Sequence, residues 1–225
     1  MGVDLAKRVI QVHAVDSAGQ VLTARALARD NFVVRCAQLP AGVAVRRVVG
    51  GLAPDSDAPM PPEMRLKLQD VWRTIQVRVP GTRFNFAFWE QNTPRRATYN
   101  ACRAVLAAVQ LSPTHEEPMI LAIQHAYYLK ARNPSDVGTL VDLATEIGLD
   151  RARFSASLTS AEVQTRLDAE TAMARSAPIN GFPSLVLHTP WGQHPLRLDY
   201  CDAAPLLLQI QAILSQTGRP AQRLK

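Results

Sequence analysis

The apolar residues of this chain change period twice, and that change limits the fold more than any single motif does. Up to about residue 50 they fall in short β-rich runs: Val9, Ile10, Val12, Ala14 and Val15, then Val21, Leu22, Ala24 and Leu27, then Val43 to Val49. From about 62 to 176 they recur every three or four residues, the spacing that gives a helix one buried face. Strand character returns as Pro183 to Leu187 and His194 to Leu198, around a Trp191-Gly192 turn, and a last helical stripe carries Leu206, Leu207, Ile210 and Leu214. Strand-bearing flanks around a block of helices imply an α/β organisation.

Local signals place the elements. Asp16 to Gly19 is a turn cluster, so residues 2–28 are expected to form a β-hairpin. Residues 30–42 fit a short helix, and 43–49 a strand ended by Gly50-Gly51. A proline-rich loop then leads into a helix over 62–78, followed by an aromatic loop from Gly81 to Trp89. Thr93 before Pro94 has the form of an N-cap with proline at the first helical position, predicting a helix to Leu111. Further helices are expected over 116–132, over 136–147 between Ser135 and Gly148, and from a Thr159/Glu162 capping box to Ser176. The last is expected over 202–216.

Composition excludes several functions. The net charge is +6, but the surplus sits at the ends: residues 1–50 hold seven Lys/Arg against three Asp/Glu, while Arg219, Arg223 and Lys225 lie in the last seven residues. The middle is close to neutral, so no nucleic-acid groove is expected. No stretch approaches the roughly 18–20 apolar residues that span a bilayer. Asp4, Lys7, Arg8 and His13 interrupt the opening residues, so no signal-peptide core is expected and the predicted location is cytoplasmic. Cys36, Cys102 and Cys201 lie far apart, and the five histidines are scattered; neither a structural zinc site nor any other metal or cofactor is expected.

Seven segments carry a resemblance: Arg46-Arg-Val-Val-Gly-Gly-Leu-Ala-Pro-Asp-Ser-Asp57, Phe86 to Trp89, Thr93-Pro-Arg-Arg96, Ala101-Cys-Arg-Ala104, Ala126-Tyr-Tyr128, Ala131-Arg-Asn-Pro134 and Gly181-Phe-Pro-Ser-Leu185. Together they closely resemble the cytoplasmic DsbA-family thiol–disulfide oxidoreductases, over about 40–216. The resemblance implies a thioredoxin-like fold with a large helical insertion, at about 62–176. It also implies a cis proline at Pro183 facing the redox cysteines, and a Phe182 backbone open to an extended thiol substrate. Phe182 and Pro183 are therefore the substrate-binding candidates.

At its chemistry the sequence departs from that family. Such enzymes carry Cys-x-x-Cys at the N-terminus of their first helix, where the helix dipole and unpaired N–H groups favour the thiolate. No two of the three cysteines here have that spacing, so no catalytic residue is assigned. The opening segment instead resembles the start of insertion-sequence transposases with a RuvC-like domain, through Gly2-Val-Asp-Leu-Ala-Lys7, Gln11 to Asp16, Leu27 to Asp30 and Cys36 to Pro40. In those proteins the aspartate matching Asp4 is one of several Mg²⁺-binding carboxylates; the later motifs are missing, so transposase activity is not expected. The simplest account is a chimera, with a foreign hairpin segment over 1–40, a DsbA-like domain over 41–217 and a basic tail over 218–225. The strand Arg8–Val15 then has the composition to replace the lost central strand, between 44–49 and 183–187.

Three functional readings follow. The chain is a redox-family protein whose exchange chemistry is impaired. Alternatively it is a module binding glutathione or an extended peptide, with Phe182, Pro183, the aromatic loop 84–89 and Arg95 or Arg96 as contacts. The third is a fusion product without activity. Trp72, Trp89, Tyr127 and Tyr128 are expected to pack rather than cage a ligand, Arg95 and Arg96 to form a solvated face, and His188 and His194 not to hold a metal.

Overall fold

The computed structural model describes residues 43, 45–78, 81–198 and 204–217, together with the backbone of the strands at 10–15 and 21–27. The chain divides into two compact units, one formed by 48–175 and the other drawn from the segments before 48 and after 175. The predicted turn Asp16–Gly19, the helix at 30–42 and the tail 218–225 lie outside the described residues.

The 48–175 unit is helical. Its elements are α1 (Pro62–Arg78), the single turn α2 (Phe88–Gln91), α3 (Tyr99–Leu111), a 3₁₀ turn (Pro113–His115), α4 (Glu116–Leu129), α5 (Val137–Glu146), α6 (Arg151–Leu158) and most of α7 (Ala161–Ser176). Alanines at 104, 107 and 108 of α3 are fully buried, and their small side chains let α4 and α6 pack closely against it. Leu106, Met119, Leu140, Leu143, Phe154, Leu158 and Leu167 fill the space around them. Gly148, at φ +92°, ends α5 in a conformation that costs a glycine little. Asp150 then opens α6 by accepting the Arg153 N–H at 2.8 Å.

A second cluster is aromatic. Trp72 of α1 stacks on Phe84 at 4.8 Å between ring centroids and meets Phe86, Phe88, Trp89, Tyr127 and Tyr128 within 6.2 Å. Trp72, Phe88 and Trp89 are at most 3% exposed, so the aromatic loop is core and not a ligand cage. Offset and edge-on contacts of this kind add to burial.

Several expected boundaries move. Residues 45–50 form no strand; instead the Val49 N–H donates to Glu170 Oε2 at 2.9 Å. Gly51 sits at φ +56°, where an added Cβ would lie 2.3 Å from Thr171 Cγ2. The helix expected from Pro94 starts only at Tyr99. Pro94 is used elsewhere, its carbonyl accepting the Met60 N–H at 2.7 Å beside a Pro59–Arg95 bridge. The Thr98 hydroxyl is diverted to both backbone groups of Ala53, at 3.0 Å each. α6 falls in a stretch for which no element was expected, and α7 is capped by Ser160 rather than Thr159.

In the other unit, β1 (Ile10–Val15) pairs antiparallel with β2 (Val21–Leu27), and β3 (Leu185–Thr189) with β4 (Gly192–Leu196). Among the described residues these are separate two-stranded sheets, and β1 does not take the place of a strand beside β3. The helix α8 (Ala204–Thr217) packs on β4 and buries Ile210. Gln209 fixes the end of β4, its amide accepting the Arg197 N–H at 2.9 Å and donating to the Arg197 carbonyl at 3.1 Å.

Candidate functional site

Residues 177–184 connect α7 to β3. Near the start of that connection the Ile179 N–H closes a tight turn on the Ala177 carbonyl at 2.8 Å. The Phe182–Pro183 peptide is cis. Behind it the Ser184 hydroxyl donates to the Gly181 carbonyl at 2.5 Å, so the two residues flanking Phe182–Pro183 are tied together. Gly181, Phe182 and Pro183 are half-buried, and Ser184 is exposed. Among the described residues neither backbone group of Phe182 is hydrogen-bonded within the protein. What this arrangement can do chemically is pair its backbone with an extended chain; it holds no acid, base or nucleophile.

At the far end of β3 the Thr189 hydroxyl organises the turn. It donates to the Gly192 carbonyl at 3.2 Å, accepts the Trp191 N–H at 3.3 Å and lies 3.2 Å from His194 Nε2. His194, on β4, is therefore tied to the turn, His188 is exposed, and Trp191 stands out at 67% exposure. Among the described residues no three His, Cys, Asp or Glu side chains gather as a metal site would require, and no helix is long and apolar enough to cross a membrane.

Of the three cysteines, Cys102 alone is among the described residues. Cys102 lies on α3, 9% exposed, within the apolar core of the helical unit. A thiol held there behaves as a small hydrophobe, out of reach of a disulfide substrate. Cys36, Cys201 and Asp4 lie outside the described residues. Arg95, expected on a solvated face with Arg96, is instead half-buried and donates to the Ser135 carbonyl at 3.1 Å and to Asp136; Arg96 is exposed.

The DSBA-like thioredoxin domain family matches residues 31–197, most of the chain. This chain belongs to that family. Its fold is accordingly thioredoxin-like with a helical insertion. The DSBA-like chain is similar in structure to a candidate protein disulfide isomerase from Nitrosomonas europaea, with 25% identity, a TM-score of 0.61, and coverage of 74% of this chain and 80% of that one. It is also similar to the cytosolic disulfide reductase DsbM from Pseudomonas aeruginosa, at 20% identity and a TM-score of 0.58 over 82% of this chain and 88% of that one. For the same reductase with GSH the TM-score is 0.57, covering 82% and 89%. No curated protein matches the chain.

Proposed function

We propose that this DSBA-like protein binds a thiol ligand, glutathione or an extended peptide, at the Phe182–Pro183 loop without cycling electrons through a cysteine pair. The observation that carries the reading is the placement of the cysteines. None of Cys36, Cys102 and Cys201 forms Cys-x-x-Cys, and Cys102 is enclosed in the helical core. Disulfide exchange needs a thiolate to attack and, in the two-thiol cycle, a second thiol to resolve the mixed disulfide. Phe182 still offers an N–H and a carbonyl to a ligand backbone, which requires no thiol. The similarity in fold to a disulfide reductase whose structure was obtained with GSH supports glutathione as the first ligand to try.

The DSBA-like match begins at residue 31, so on this reading it is the residues ahead of it, with their resemblance to another protein's opening, that stand where the missing motif would be, and a chain without paired thiols fits work in the cytoplasm. Insulin reduction by the purified chain is expected at background, and unchanged in Cys36→Ser. A substantial rate that Cys36→Ser abolishes would overturn the redox half of the proposal. Calorimetric titration with glutathione tests the other half, and the absence of heat up to millimolar concentration would reject it.

A further inference from the structure

A pocket of about 380 Å³ opens in the helical unit, lined by Asn100 and Arg103 of α3, Val137 at the start of α5, Leu158 to Ala161 at the α6–α7 corner, and Gln164 of α7. Its size falls at the lower end of the range for small-molecule sites. Its lining divides into an apolar part, Val137, Leu158 and Ala161, and a polar part centred on Arg103.

Arg103 is 14% exposed in its side chain, yet it is a permanent cation with five N–H donors. Its Nη2 donates to both oxygens of Asp55 at 2.7 Å and to Asn100 Oδ1 at 2.5 Å, and its Nη1 to Gln164 Oε1 at 3.0 Å. Those bonds use three donors. The Nε–H and the second Nη1 N–H have no partner among the described residues. Among the described residues the one carboxylate on this guanidinium comes from Asp55, whose side chain is 51% exposed. A mostly buried cation thus keeps two donors unused beside a carboxylate that water already reaches.

We propose that this pocket is a binding site for short aliphatic carboxylates, with the ligand's head on Arg103 and its chain along Val137, Leu158 and Ala161. Asp55 is the internal carboxylate with which the ligand competes. The site is independent of the Phe182–Pro183 loop and of any redox chemistry.

The test uses the full chain and two probes, hexanoate and an acetylated dipeptide ending in leucine, each beside its uncharged amide. Binding is followed by NMR at the side-chain amides of Asn100 and Gln164 and the backbone N–H of Ala161. Either acid is expected to bind while its amide does not, and the one that binds shows whether the site takes a free acid or a peptide terminus. Asp55→Asn is expected to tighten binding by roughly tenfold, because it leaves the buried guanidinium without its resident anion. Arg103→Gln is expected to abolish it. Should Arg103→Gln fail to fold, Val137→Phe fills the pocket from a position that is 43% exposed, and binding should again be lost with the fold intact. Failure of both acids to bind Asp55→Asn, equal binding of the amides, or binding that survives Val137→Phe would overturn the proposal.

Discussion

Glu170 sits 2% exposed on α7, with one carboxylate oxygen on the Val49 N–H and the other on Arg166 Nε at 3.1 Å. It is the acceptor for a backbone N–H that would otherwise be buried without one, and such groups are costly to strand. Glu170→Ala is expected to lower stability by about 2 to 4 kcal/mol, through the stranded N–H and the cavity left behind. Glu170→Gln keeps an acceptor for the Val49 N–H and gives up the charge that faces half-exposed Arg166, so a smaller loss, about 1 kcal/mol, is expected. Urea unfolding midpoints of the two variants check the difference; equal losses would mean the charge and not the acceptor matters. Arg103 falls in the Ala101-Cys-Arg-Ala104 segment, but neither its partner nor that of Glu170 was legible in the sequence. A glutamate or arginine at helical spacing has the pattern of a surface residue, and only the partner 121 positions away, or 48 for Arg103 and Asp55, reveals otherwise.

At the scale of elements, the start of α7 is fixed by Ser160, whose hydroxyl accepts the Val163 N–H at 3.2 Å. Ser160→Ala is expected to cost about 1 kcal/mol and Thr159→Ala markedly less, since Thr159 only bonds back to its own preceding turn. Thermal unfolding of the two variants separates them. Glu162 belongs to the same cap: its own backbone N–H and the Ser160 hydroxyl donate to it, holding its carboxyl below the usual glutamate value of 4.5. A depressed value means the folded chain favours the ionised form. Its contribution is therefore present above 4.5 and is lost as the pH falls through the lower, folded value. A stability-against-pH curve should lose part of its acid slope in Glu162→Gln. The sequence marked this helix correctly and misplaced its cap by one residue, because Thr159 and Ser160 are both capping types and only the turn geometry chooses. The Thr93-Pro94 signal failed for a different reason. Its local preference is real, but Pro94 and Arg95 are claimed by Met60, Ser135 and Asp136, and tertiary partners outweigh a cap.

For the whole molecule, the order of strand flanks and helical block was readable because period is a property of long windows. The Gly181-Phe-Pro-Ser-Leu185 loop was readable because it is contiguous. The Arg103 pocket was not, since four helices and the connection between the last two must fold before it exists. Burial of Cys102 follows the apolar stripe of its helix, and it has a consequence for thiol chemistry. In a Cys36→Ser/Cys201→Ser chain the remaining thiol is expected to resist a disulfide reagent until denaturant unfolds the helical unit, the reaction then following the unfolding curve. Rapid modification of the native chain would show that the core opens locally.

The three tryptophans have a consequence of another kind. Trp72 and Trp89 lie 5.0 Å apart in the dry aromatic cluster of the 48–175 unit, whereas Trp191 stands in solvent on the hairpin turn of the other. The chain therefore carries two optical reporters in different surroundings: a blue-shifted, iodide-shielded emission for one unit and a red-shifted, quenchable emission for the other. No label is needed to watch each unit separately by its own light.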